Sequence, residues 1–191
     1  MEVRQPDMAN MLEMLVFIDE TSLKTNLVKT TGWAPVGARL VDHVPFGHWH
    51  TQTPDQVRGR LFIAGLGCDG LVAPWVLDGA MNRASFEAYV EHELAPALRP
   101  GQIVIADNLS SHKSPRAQAL LRAQGNQLLF LPPYSPDLNP IEMAFSKLKT
   151  LIRKAAARTY QALWNCVGAV CDLFQRQECT NYFKAAGYGV D

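Results

Sequence analysis

Three carboxylates stand out by what surrounds them. Asp19 closes the apolar run "LVFI" (Leu15 to Ile18), and Asp107 closes "IVIA" (Ile103 to Ala106). Glu142 follows "LPPYSPDLNP", a stretch that packs four prolines into residues 131–140. Hard oxygen donors at two strand ends and one helix start suit Mg²⁺ or Mn²⁺, ions that keep several waters and bind phosphate oxygens. Two such ions about 3.5–4 Å apart activate an attacking oxygen and stabilise a leaving one in phosphodiester chemistry, with no protein nucleophile. The chain carries no Gly-rich phosphate loop, no G-x-S-x-G elbow and no H-E-x-x-H motif to support a different reaction class. Each carboxylate also has an ordinary reading. Aspartates after strands serve turns and caps, and Glu142 stands three residues after Asn139, the spacing of a capping box with Asn139 as N-cap and Pro140 at the first helical position. Both readings are open at this level.

The elements that must position these groups follow from periodicity. Short continuous apolar runs rich in β-branched residues mark 15–18 and 103–106 as strands covered on both faces. The carboxyl ends of such strands are where ligands gather in open α/β sheets, and the two aspartates converge if the strands are neighbours. "LFIAGLGCDGLVAPWVLDG" reads as a hairpin turning at Cys68-Asp69-Gly70. Helices are expected over 82–98, over 115–124 closed by Gly125, and twice within 160–186, with a strand at 127–131 between them. A hairpin followed by alternating strands and helices implies an α/β domain with a mixed sheet flanked by helices. Pro132 and Pro133 end their strand and send the chain out in extended form. In the helix that follows, Ile141, Phe145, Leu148 and Ile152 form a core-facing stripe. Glu142, Lys149 and Arg153 form a second stripe about a quarter turn away, either a basic ridge for a phosphate backbone or a solvated charged face. Near the positive helix N-terminus, Glu142 is expected to stay ionised.

Composition limits the alternatives. At 191 residues with 48% hydrophobic content, the chain has room for one sizeable core. Its 18 basic and 18 acidic residues cancel, so any nucleic-acid contact must come from local patches. The four cysteines form no C-x-x-C pair, which favours packing thiols over a zinc cluster. With no long apolar segment, neither a membrane span nor a secretory signal is expected.

"VFIDET", "IVIADNLSSHKS" and "LLFLPPYSPDLNPIEMAFSKLK" resemble the three blocks of the DDE transposases of bacterial insertion sequences in the mariner superfamily. "TGWAPVGARL", "GHWHTQT" and "GLVAPWVLDGAMNRASFEAYV" extend the likeness over nearly the whole chain, and the 34 residues between Asp107 and Glu142 match the family's spacing. The resemblance implies a ribonuclease H-like fold over residues 14–186, with a lead-in over 1–13 and a tail over 187–191. It implies that Asp19, Asp107 and Glu142 are a catalytic triad holding two Mg²⁺ ions, for which Mn²⁺ substitutes. Water would attack DNA at the element's ends, and the freed 3′-hydroxyl would then attack target DNA. Transposon ends and target DNA are the implied partners, with a possible homodimer, no membrane, and a bacterial cytoplasmic, nucleoid-associated setting.

Two departures qualify the likeness. About eight extra residues, Pro54 to Leu61, separate the "HWHTQT" block from "FIAGL", either a lengthened hairpin loop or an insertion that misaligns strands. Only about a dozen residues precede the first strand, so the helix-turn-helix region that recognises element ends in full-length relatives is expected from a separate or fused polypeptide. A non-catalytic relic that binds DNA or a partner as a regulator is the rival reading. Lys149, Arg153, Lys154 and Arg158 are the expected DNA-contacting ridge, and Asn108 and His112 order the metal-site loop, contact DNA, or serve as caps. Glu20 should point to the opposite strand face from Asp19 and is not counted as a ligand. His48 and His50 are read as packing, as are Trp33 and Trp49, whose alternative role is stacking on bases.

Overall fold

The computed structural model of the chain describes residues 8, 10–23, 34–37, 39, 60–157 and 159–189. His48, His50, Trp33, Trp49, Arg158 and residues 54–59 lie outside the described residues.

The two apolar runs form adjacent central strands. β1 (Leu15–Leu23) and β4 (Ile103–Ala106) run parallel, with Leu15 opposite Ile103 and Ile18 opposite Ala106. β2 (Arg60–Gly67) and β3 (Gly70–Asp78) form the expected hairpin, with β2 antiparallel to β1. β5 (Gln127–Phe130) adds to β4 in parallel, giving the order β3-β2-β1-β4-β5. Arg60 and Leu61 pair with Leu23 and Ser22 in unbroken register, so the extra residues leave the β1–β2 pairing intact.

Alternation along β1 and β4 sends side chains to two separate cores. Leu15, Phe17, Ile103 and Ile105 face one way, and Val16, Ile18, Val104 and Ala106 face the other. The second face is covered by α1 and α2. α1 begins at Arg83–Tyr89, widens to a π-turn over Val90–Leu94 and closes at Ala95–Ala97; α2 is Pro115–Ala123. The widened turn ends two residues before Pro96, which has no N–H for the helical ladder and whose ring crowds the preceding turn. The first face is covered by α3 (Ile141–Ala155), α4 (Tyr160–Cys171) and α5 (Arg176–Ala185). The stripe Ile141, Phe145, Leu148 and Ile152 is buried in that core as its spacing requires. The result is a three-layer α/β sandwich with a mixed sheet. Among the described residues no helix is long and apolar enough to cross a membrane.

One detail corrects the sequence expectations, and two contacts near the chain ends add to the core. β1 does not end at Ile18: its pairing with β4 stops there, but its antiparallel pairing with β2 continues to Leu23. Asp19 therefore lies inside a strand, opposite Ala64, at the point where the parallel ladder stops. Within residues 187–189, the Tyr188 ring packs edge-on against Phe17 at 4.8 Å and its hydroxyl donates to the Leu138 carbonyl at 2.9 Å. The lead-in contributes as well, with Met8 buried in the same core as Phe17.

Candidate active site

A cleft of about 520 Å³ opens where the β1–β4 ladder stops. Asp19, Asp107 and Glu142 all line it, reached from β1, from the first position after β4, and from the first turn of α3. Asn108 lines it too, as do Lys113 and residues 131–136 of the proline-rich loop.

The strand aspartates are tightly held. Asp19 Oδ1 accepts from the Glu20 N–H at 2.7 Å, and Oδ2 accepts from Asn139 Nδ2 at 2.8 Å. Asp107 Oδ1 accepts from the Leu109 N–H at 3.3 Å and lies 2.5 Å from His112 Nδ1. On the other side of that imidazole, Nε2 lies 3.1 Å from Glu20 Oε2. His112 is fully buried, with its ring against Phe86 at 4.6 Å. Both of its carboxylate contacts have the geometry of ion pairs rather than of straight hydrogen bonds. Burial alone would pull the imidazole's pKa down, but the carboxylates on both sides outweigh it and push it up to about 10.

Electrostatics set Asp19 apart. Burial, helped by the nearby charges of Glu20, Glu142 and Asp107 and opposed by the Glu20 N–H, pushes its carboxyl up to about 7. Carboxylates gathered with so little countercharge favour a proton or a cation in the cleft.

Glu142 is placed differently from the expectation. Asn139 is not an N-cap, since no side chain caps α3 and Pro140 occupies the cap position. The Asn139 N–H donates to the Pro136 carbonyl at 2.9 Å, so it is not the partner of Glu142 in a capping box. The Asn139 amide is instead spent on Asp19, and Glu142 stands exposed at the cleft. A three-residue turn, Pro136–Leu138, anchored by Tyr188, fixes where α3 begins.

The remaining expected residues separate into near and far. Asn108 is in the cleft, whereas His112 lies behind it and orders Asp107 from the buried side. Lys149, Arg153 and Lys154 lie further along α3 and do not line the cleft. Three contributors are additional. Glu20 does point away from Asp19, and on that far face it holds His112. Asn139 holds Asp19. Lys113 is the cation among the described residues lining the cleft, and its position directly after His112 in "SSHKS" was the available signal.

In the conformation observed, no group of three or more His, Cys, Asp or Glu side chains among the described residues has a spacing that could hold a metal ion. The donor set of three carboxylates in one cleft nevertheless matches what a hard divalent cation takes.

The sheet order, the two flanking helical layers and the carboxylate-lined edge together define a ribonuclease H-like domain. The profile of the DDE superfamily endonucleases matches residues 14–164, and the chain belongs to that family. Its fold is shared with the Mos1 transposase paired-end complex with left transposon end, at TM-score 0.68 and 17% identity over 95% of this chain and 56% of that one. The Mos1 strand transfer complex gives 0.66 and 16%, with the same coverage. The Mos1 transposase catalytic domain with raltegravir and Mg gives 0.54 and 13%, over 95% of this chain and 86% of that chain. The chain thus spans about half the length of the Mos1 chains in the DNA complexes. No curated protein matches it in sequence.

Proposed function

We propose that this chain is the catalytic domain of a cut-and-paste DNA transposase, cleaving DNA strands and transferring the freed 3′ ends. The observation that carries the reading is the convergence of Asp19, Asp107 and Glu142 on one cleft of a DDE-family, ribonuclease H-like domain. The three carboxylates would hold two Mg²⁺ or Mn²⁺ ions. When bound, these supply an activated attacking oxygen and stabilise the leaving oxygen.

The chain's own residues do the rest. Asn139 Nδ2 and the Glu20 N–H fix the plane of the Asp19 carboxylate. The Leu109 N–H and the buried His112, backed by Glu20, fix Asp107. Asp19 gives up its proton as the site fills, which its pKa of about 7 makes easy near neutral pH. Lys113 is placed to meet a phosphate oxygen in the cleft. Lys149, Arg153 and Lys154 continue along α3 as a sequence-indifferent contact for the DNA backbone, to which Arg158 would add. Recognition of transposon ends is assigned to a helix-turn-helix region in a fused or separate polypeptide, and pairing of ends to a homodimer. Such a chain would act on DNA in the bacterial cytoplasm. No observation among the described residues favours the regulatory relic over the enzyme.

The test is cleavage of end-labelled linear DNA in Mn²⁺ by the parent chain and by Asp107→Asn. The expected result is nonspecific, metal-dependent nicking by the parent and none by the variant. Equal nicking by both would sink the assignment.

A further inference from the structure

Asn139 stands between the two halves of the site. It is 5% exposed and lines the cleft together with Asp19 and Glu142. An asparagine carries a donor and an acceptor on the main chain and another of each on the side chain. Here Nδ2 donates to Asp19 Oδ2 at 2.8 Å, the main-chain carbonyl accepts from the Glu142 N–H at 3.2 Å, and the main-chain N–H donates to the Pro136 carbonyl at 2.9 Å. One residue thus bonds both to the side chain of the strand carboxylate and to the backbone of the helix carboxylate. The remaining group, Oδ1, is buried without a hydrogen-bond partner. An ionised carboxylate only accepts, so the amide nitrogen must face Asp19 and the oxygen is the atom left over.

Folding alone does not ask for this arrangement. An asparagine before a helix ordinarily spends its side chain on a cap, yet α3 has no side-chain cap and the amide reaches across to β1. A buried acceptor without a partner marks a place where an ordered water, an ion or a catalytic task completes the set. Hard divalent cations keep several waters, each of them a donor, so a filled cleft supplies what Oδ1 lacks. On its buried side α3 shares a core with β1, where Ile141 and Phe145 join Phe17. At the cleft, Asn139 ties the same two elements through the groups that carry the chemistry.

We infer that Asn139 is a positioning residue that sets the separation of Asp19 and Glu142, so that the strand and helix carboxylates meet divalent ions as one unit. This rests on the metal-dependent function proposed above. It goes further than orienting Asp19, because a residue that acted on Asp19 alone would matter equally with or without Glu142.

The test is a double-mutant cycle on the full chain, with Asn139→Ala introduced into the parent and into Glu142→Gln. Mn²⁺ binding is titrated by electron paramagnetic resonance, and melting temperatures are read in EDTA. Asn139→Ala should weaken Mn²⁺ binding about 10- to 100-fold in the parent, the usual cost of losing a group that orients a ligand. In Glu142→Gln the same substitution should change it by no more than about 2-fold, because no separation is left to set. Asn139→Ser keeps a polar group at the buried position but is too short to reach Asp19, and it should repeat both results. Equal losses in the two backgrounds would overturn the inference. So would parental Mn²⁺ affinity in Asn139→Ala, or a fall in melting temperature that leaves both Asn139 variants unfolded where binding is measured. In each of those cases Mn²⁺ binding by the parent keeps the broader function standing. A parent that binds no Mn²⁺ would overturn both.

Discussion

The strand carboxylates and the helix carboxylate are built on opposite plans. Asp19 and Asp107 are gripped by a backbone N–H each, by Asn139 on one and by a buried His112–Glu20 pair on the other. Glu142 is exposed, has no capping role, and is positioned through its backbone by prolines and by the turn that Tyr188 anchors. The strand pair is pre-set in orientation by these bonds, and the helix member is left exposed where it lines the cleft. That division fits the observed spacing, in which the three share a cleft without yet forming a cage. The strands fix orientation, and the helix start presents its carboxylate at the cleft.

The hardest blow to this arrangement is the loss of a gripped carboxylate. Asp107→Asn should lower metal-dependent DNA cleavage on the order of 10³-fold, the several kcal/mol that divalent ions contribute to a transition state. It should also remove most of the rise in melting temperature that millimolar Mg²⁺ or Mn²⁺ gives the parent. Equal shifts in parent and variant, read by differential scanning fluorimetry, would show that Asp107 holds no ion.

Loosening the grip without touching the cleft has a smaller effect. Glu20→Gln leaves His112 with one charged neighbour, and Asp107 then becomes nearly as adjustable as Glu142. Mn²⁺ affinity should fall about 10- to 100-fold, the usual cost of losing a group that orients a ligand. Calorimetric titration reads this directly. An unchanged affinity would mean that the buried pair only packs.

The smallest effect is a pH slope. Asp19 releases its proton near 3.8 in the unfolded chain and near 7 in the folded one. Between those values the folded state binds more protons, so the metal-free domain should lose stability as pH rises from about 4 to about 7, by at most about 1.4 kcal/mol per unit. Saturating Mg²⁺ should flatten or reverse the slope, because bound carboxylates must be deprotonated. Urea melts at stepped pH, with EDTA or Mg²⁺, decide it. A metal-free domain that gains stability over that interval would contradict the crowding of charge at Asp19.

How much of this was legible in the sequence depends on how far apart the cooperating residues lie. Leu15–Ile18 and Ile103–Ala106 announce themselves as covered strands, and the Ile141, Phe145, Leu148 and Ile152 stripe announces its helix, because periodicity is local. The convergence of Asp19 and Asp107 follows once those strands are neighbours. Asn139 is misread because an amide before a helix has the chemistry of a cap, and only the fold shows that the same amide is claimed by Asp19, 120 residues away. Glu20 and His112 are separated for a similar reason: strand alternation puts Glu20 on the far face, and nothing local says that His112 waits there. The continuation of β1 through "DETSL" is hidden by its polar residues, which the pairing with β2 accommodates.

Glu142 offers the most direct test, because it is exposed at the cleft and has no capping role, so its charge can be removed without disturbing the helix start. Glu142→Gln keeps the length and hydrogen-bonding capacity of the side chain but removes the charge a metal ligand supplies. Mn²⁺ binding, followed by electron paramagnetic resonance alongside DNA cleavage in the same samples, reads both functions together. The account predicts two ions per parent chain, weakened binding and loss of cleavage in the variant, and an unchanged melting temperature for both chains in EDTA. Cleavage that survives in Glu142→Gln with parental Mn²⁺ binding would contradict it.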